Sequence, residues 1–210
     1  MCGVLSTVWN DKSAVKKVIM ANLPMLTARG KDAWGIAIGT TEKSKPEILK
    51  KFPTSIGKLA SRRRLHLLLD ELPECGWMLV HSRLATDGYS GIIEHNHPVK
   101  YKNITLVHNG LVTDWPASFD SSVNRVRTDS QNLAKLIHEI GSDVSQEYLN
   151  QAKGEITISW HDEKDNKIRV FSNVGGLYRL QSDLATTYVS EPLNDESLLC
   201  RLKSRTVLEI

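Results

Sequence analysis

The chain opens Met1-Cys2-Gly3. Removing one residue would leave Cys2 with a thiol and a free α-amino group together. Such a residue is a nucleophile that carries its own proton acceptor and needs no catalytic histidine. The side chain of Cys2 is small, which favours removal of the initiator Met. Ordinary values of ~8.5 for the thiol and ~8 for the amine make proton transfer between them nearly thermoneutral. The alternative is a cysteine that stands near the start by accident, and the rest of the chain must decide. Other reactive residue types are less well arranged. His81, His95, His97 and His108 include a His-x-His pair. No carboxylate or cysteine cluster stands at ligand spacing beside them, so no metal is expected. No Ser/His/Asp set and no phosphate-cradling glycine loop is evident. Asn109-Gly110, read alone, is an ordinary strand-to-turn signal. Arg62-Arg63-Arg64 reads as a solvated helix face or a partner contact before it reads as a phosphate site.

These residues need a scaffold. The 210 residues, 40% of them hydrophobic, suit one large domain. Lys plus Arg is 27 against 24 for Asp plus Glu, a formal charge of +3. That bias is too weak to argue for nucleic acid or a membrane surface. Cys2, Cys75 and Cys200 are odd in number and far apart, which argues against a disulfide framework and for a reducing compartment. Charged residues from Asp11 to Lys17 break any signal-peptide pattern, and no apolar run approaches the ~20 residues of a membrane span. A cytoplasmic location and no membrane partner are expected.

Hydrophobic periodicity predicts strands over 2–9, 34–40, 46–52, 77–82 and 104–109. A helix should follow Ser13 as N-cap, with Pro24 kinking or shortening it. A second helix is expected over 55–72. Residues 83–103 form a connection with no evident structure, the kind that usually carries function. DSQNLAKLIHEI (129–140) is amphipathic and capped by Asp129 or Thr128. Five strand-like runs then follow. Long strands with two main helical blocks predict an α+β fold layered around one core.

Five short motifs follow Cys2 in order: RGKDAWG (29–35), HSRLATDG (81–88), NHP (96–98), HNG (108–110) and RTDSQ (127–131). In this order and near these spacings they resemble the class II glutamine amidotransferases. These are N-terminal-nucleophile hydrolases whose glutaminase domain also occurs in glucosamine-6-phosphate synthase and glutamine phosphoribosylpyrophosphate amidotransferase. The likeness continues more weakly through GEITISWHD and YVSEPL (188–193). It implies a four-layer α/β/β/α sandwich, two mainly antiparallel sheets between helix layers. It implies that Cys2 attacks the side-chain amide of L-glutamine, giving L-glutamate and ammonia through a γ-glutamyl thioester. Asn109 (side chain) and Gly110 (backbone N–H) would form the oxyanion hole. Arg83 would grip the α-carboxylate, Asp129 the α-ammonium, and Thr86 would add a hydroxyl. Arg29 and Asp32 would form an ion pair or hydrogen-bond network behind the nucleophile. His97 would help set the pocket wall, and Trp34 would be core. No cofactor is implied.

The chain departs from the family pattern at three places. Asp87 stands where sugar-phosphate synthases carry His, Gln131 replaces Glu, and the NxHP spacing is shortened at Asn96. The nucleophile, oxyanion donors and substrate anchors are retained. The chain reads as one type-2 glutamine amidotransferase domain over 1–210, Met1 removed, with no synthase domain following. Its ammonia would pass to an acceptor on a partner protein, and its basal activity would be low. Two alternatives stand beside this: hydrolysis of another γ-glutamyl amide, and a catalytically silent binding module on the same scaffold. A nucleic-acid partner is not expected.

Overall fold

Alternating inward and outward side chains divide most of this chain between two antiparallel sheets. The structure, a computed structural model, describes residues 1–86, 88–117, 119, 128–191, 199–201 and 205–209, with only the backbone at 199–201. In chain order the elements are β1 (Gly3–Trp9), α1 (Lys12–Arg29), β2 (Ala33–Gly39), β3 (Ile48–Phe52), α2 (Leu59–Asp70) and β4 (Gly76–Arg83). Then come β5 (Val99–Tyr101), β6 (Ile104–Asp114), α3 (Asp129–Ile140), α4 (Ser145–Gln151), β7 (Lys153–Asp162) and β8 (Lys167–Ser172). The last are β9 (Tyr178–Gln181), β10 (Ala185–Val189), β11 (Leu199–Arg201) and β12 (Leu208–Glu209). One sheet has the order β11-β9-β10-β1-β4-β2-β3, the other β12-β8-β7-β6-β5.

Residue parity sets the layers, because successive strand side chains point to opposite faces. Leu5, Ile36, Ile38, Met78 and Val80 pack outward against Val15, Ile19 and Leu26 of α1 and Leu65 and Leu69 of α2. Val4, Ala37, Trp77 and Leu79 point the other way and meet Val107 and Ile168 of the second sheet. The far face of that sheet, through Leu106, Ile156, Ile158 and Trp160, packs on Leu133 and Ile137 of α3 and Leu149 of α4. The expected sandwich of two antiparallel sheets between helices is what forms. Among the described residues no helix is long and apolar enough to cross a membrane.

Local expectations fared unevenly. The N-cap of α1 is Asp11, not Ser13: its Oδ1 accepts from Ser13 N at 2.6 Å and Ala14 N at 3.4 Å. The helix runs unbroken through Pro24 to Arg29. Pro24 removes one rung, but Leu23, Met25 and Leu26 are buried on either side of it and hold the turn in place. β6 runs straight through Asn109-Gly110, pairing Asn109 with Thr157 and Gly110 with Ile156, so the hairpin reading of that dipeptide fails. The 83–103 connection contains a 3₁₀ turn, Ile93–His95, and β5, both too short for periodicity to reveal. α4 was not expected at all. Leu26 is wholly buried between α1 and the first sheet. Leu26→Ala should lower unfolding free energy by about 3 kcal/mol, read as a lower urea midpoint at unchanged slope.

Candidate active site

Parity also builds the site. Cys2 shares the inward-facing set of Val4, and Asn109 shares that of Val107, so the two meet between the sheets. The Cys2 backbone N donates to Asn109 Oδ1 at 2.8 Å. Asn109 Oδ1 is thereby engaged, which makes its amide nitrogen the donating end. Cys2 Sγ lies 3.4 Å from both Leu84 N, from which it accepts, and Leu84 O, to which it donates. Arg29 Nε donates to the Cys2 carbonyl at 2.8 Å, and Arg29 pairs with Glu191. Asp32 Oδ2 accepts from Ala85 N at 2.8 Å. Arg29 and Asp32 therefore do not pair with each other. They brace the nucleophile from two sides, one through its carbonyl and one through the loop that holds its sulfur. Burial pushes the Cys2 thiol above its usual range, against the lowering effects of the Leu84 N–H, the N-terminal charge, Arg83 and Arg29. With Met1 in place the sulfur is held as a thiol, which must lose its proton to a base before it attacks.

Gly110 has φ of 140°, and a Cβ there would lie 1.9 Å from the Glu155 carbonyl oxygen. Only glycine fits. Cys2, Thr86, Asn109 and Gly110 line one cavity of about 380 Å³ together with Leu111 and Glu155. Cys2, Thr86 and Gly110 also line a narrow recess of about 20 Å³ that contains Arg83, His97 and Asp129. The structure thus gathers Cys2, Asn109, Gly110, Arg83, Thr86, Asp129 and His97 around one point, with Arg29 and Asp32 behind it. Asp87 lies outside the described residues, as do Arg127, Pro192 and Leu193.

The recess is held by buried polar contacts. Arg83 is 3% exposed, and its Nη1 donates to Asn96 Oδ1 at 2.6 Å. Asn96 is fully buried and donates to the Ser90 carbonyl at 2.7 Å. Thr128, not Asp129, caps α3, in a capping box with Gln131. That leaves the Asp129 carboxylate to face the recess: Oδ1 accepts from Ser130 N at 2.7 Å, and Oδ2 accepts from Val112 N at 3.1 Å. His108 Nδ1 sits 3.0 Å from Ser130 Oγ and 3.7 Å from Asp129 Oδ2. Burial pushes His81 down to about 3, opposed by its hydrogen bond with the His108 carbonyl. Burial also lowers His97 and His108, the latter opposed by the nearby Asp129 charge. All three rings are neutral, so Arg83 and Asp129 carry the charge. The His97 ring lies against His81, centroids 4.0 Å apart and planes tilted by 30°, and forms part of the recess wall. Among the described residues no cluster of three His, Cys, Asp or Glu is placed to hold a metal. Sequence reasoning missed Asn96, Leu84, Ser130 and Glu191 as supports. Only the Thr128-x-x-Gln131 box left a readable signal.

Two antiparallel sheets between helix layers, with a cysteine at residue 2 entering the inner face, define an N-terminal-nucleophile type of sandwich. No family model matches the chain. It is similar to glutamine–fructose-6-phosphate aminotransferase (isomerizing) of Shouchella clausii, 27% identical over 156 residues, 74% of this chain and 23% of that protein. The protein of that name from Treponema pallidum is 30% identical over 144 residues, 66% of this chain and 21% of the relative. A solved glutamine phosphoribosylpyrophosphate amidotransferase from B. subtilis superposes with a TM-score of 0.63 at 20% identity, covering 90% of this chain and 42% of that one. That likeness concerns the fold. The chain resembles the class II glutamine amidotransferase domain, and spans less than a quarter of the length of these two curated relatives.

Because burial disfavours the thiolate, alkylation of Cys2 by iodoacetamide should rise with pH with a midpoint above that of the unfolded chain. Mass mapping of the adduct, with Cys2→Ala as control, checks this. A midpoint below the unfolded value would refute it.

Proposed function

We propose that this chain is a class II glutamine amidotransferase domain that releases ammonia from L-glutamine. The observation that carries the reading is the Cys2 N–H on Asn109 Oδ1 at 2.8 Å, with Gly110 beside it and Arg83 and Asp129 in the adjoining recess. Met1 is removed, and the Cys2 amine takes the thiol proton that burial otherwise retains. Sγ attacks the γ-carbonyl carbon. The oxyanion is met by the Asn109 side-chain amide and the Gly110 N–H, fixed dipoles in a partly dry site. The amine returns the proton to departing ammonia, and water hydrolyses the thioester. A planar guanidinium at Arg83 suits the α-carboxylate, and Asp129 suits the α-ammonium.

The recess of about 20 Å³ has room for about one water and must widen to admit an amino-acid head group. This supports a low basal rate that a partner raises. The acceptor of the ammonia is then carried by another protein, and the domain works in the cytoplasm. Its relatives' names pair glutamine with a sugar phosphate, but nothing in this domain's site selects that acceptor.

The test is intact mass before and after exposure to a glutamine-mimicking diazoketone. One adduct is expected on protein lacking Met1, blocked by glutamine and absent in Cys2→Ala. Retained Met1, or labelling that glutamine does not block, would overturn the reading. Asn109→Ala should lower kcat by about 100- to 1,000-fold in a glutamate-release assay. Arg83→Lys should act mainly on KM, because a point charge cannot reproduce the bidentate grip.

A further inference from the structure

The nucleophile separates two unequal spaces. The narrow recess holds the fixed charges of Arg83 and Asp129. The cavity of about 380 Å³ shares Cys2, Thr86 and Gly110 with it and adds Leu111 and Glu155 in place of those charges. If the recess takes the α-carbon end of the substrate, the group that leaves the γ-carbonyl is directed into the larger space. Ammonia needs about the volume of a water, ~30 Å³, an order of magnitude less than this cavity offers. Removing Met1, which also lines it, would widen it further.

The lining has a definite chemistry. Leu111 of β6 and Glu155 of β7 are directly opposed across the strands, one step beyond Gly110. Opposed residues point to the same face with Cβ atoms about 5 Å apart. The cavity therefore presents an apolar side chain, 43% exposed, next to a carboxylate. Glu155 is the one charged side chain among the described residues that line it. Among those residues its carboxylate makes no ion pair and no side-chain hydrogen bond. The neighbouring charges are already engaged: Lys153 pairs with Asp114 at 3.0 Å, and Arg29 with Glu191 and the Cys2 carbonyl. An apolar wall ending in a carboxylate that has no partner among the described residues fits a short alkyl chain ending in an ammonium group.

We infer that the site accepts γ-glutamyl amides of aliphatic diamines, with the leaving amine lying in the 380 Å³ cavity, its methylenes on Leu111 and its distal ammonium on Glu155. This rests on the γ-glutamyl chemistry proposed above and extends it to a substrate class. The balance of the reaction is unchanged. The Cys2 S–C bond forms as the amide C–N bond breaks, and the thiol proton leaves on the amine. Water then splits the thioester to glutamate and free thiol.

The test compares N-(γ-L-glutamyl)-1,4-diaminobutane with N-(γ-L-glutamyl)-pentylamine, which has a methyl in place of the ammonium, using protein lacking Met1. Glutamate release and protection of Cys2 from the diazoketone are both measured, so a low turnover rate does not block the comparison. The diamine conjugate should be favoured about tenfold, the worth of one partly exposed charge-assisted hydrogen bond. The ratio should fall to about one in Glu155→Gln and persist in Glu155→Asp. Equal handling of the two conjugates, or a preference that survives Glu155→Gln, would overturn the inference. Glutamine protecting Cys2 while neither conjugate does would sink this inference alone. No adduct under any condition would sink the underlying amidotransferase reading with it.

Discussion

The hydrogen bond from the Cys2 backbone nitrogen to Asn109 Oδ1, at 2.8 Å, ties the first sheet to the second at the nucleophile, beside the one from His81 to the His108 carbonyl. Cys2 leads into the first sheet and Asn109 is in the middle of the second. The bond forms because Asn109 falls on an inward-facing position of β6, which aims its side chain at the backbone nitrogen that leads into β1. A slip of one residue in either strand would turn the side chain to the opposite face. The site thus depends on the registers of β1 with β4 and of β6 with β7. Those registers are set by the pattern of apolar residues that fills all three interfaces of the sandwich. Core packing and site geometry are one constraint here.

Burial favours the neutral form of both kinds of titratable group at the site. It keeps His81, His97 and His108 neutral, so they contribute shape and hydrogen bonds instead of charge. It also keeps the Cys2 thiol protonated, so the nucleophile rests in an unreactive form. What remains charged is the pair suited to an amino-acid head group. Arg83 is aimed by Asn96, and Asp129 is held by backbone N–H groups at the start of α3. The Thr128–Gln131 capping box relieves Asp129 of the capping duty. Gln131 Nε2 also reaches the Glu94 carbonyl at 3.0 Å, tying the loop over the recess to the helix beneath it. The departure at Gln131 therefore has a structural role.

Much of this was legible from residue types and order. The α+β class, the long strands, the span of α3 and the special character of Cys2 could be read from period, composition and position. The motif order pointed to the residues that the fold gathers. Errors cluster where local signals compete with tertiary packing. Pro24 is a helix breaker by itself, yet buried neighbours carry α1 through it. Asn109-Gly110 read alone is a turn signal, a reading the motif order had already set aside, and ten residues of β7 pair alongside β6 and hold it in a strand. Arg29 and Asp32, expected as an ion pair or a hydrogen-bond network behind the nucleophile, bond separately, to the Cys2 carbonyl and to Ala85 N.

By itself, then, the sequence determined which groups could react and which faces would be buried, because those follow from side-chain chemistry and from the periods of helix and strand. It could not decide which groups face each other across the sandwich. The contact of Cys2 with Asn109 spans 107 positions of sequence, and that of Arg29 with Glu191 spans 162. Such contacts are chosen by sheet order and register, which minimise the exposed apolar area of the whole chain at once. The same global choice made one space beside the nucleophile narrow and charged, and the other wide with Glu155 in its wall. No local pattern encodes that asymmetry, since strands far apart in the chain build each wall.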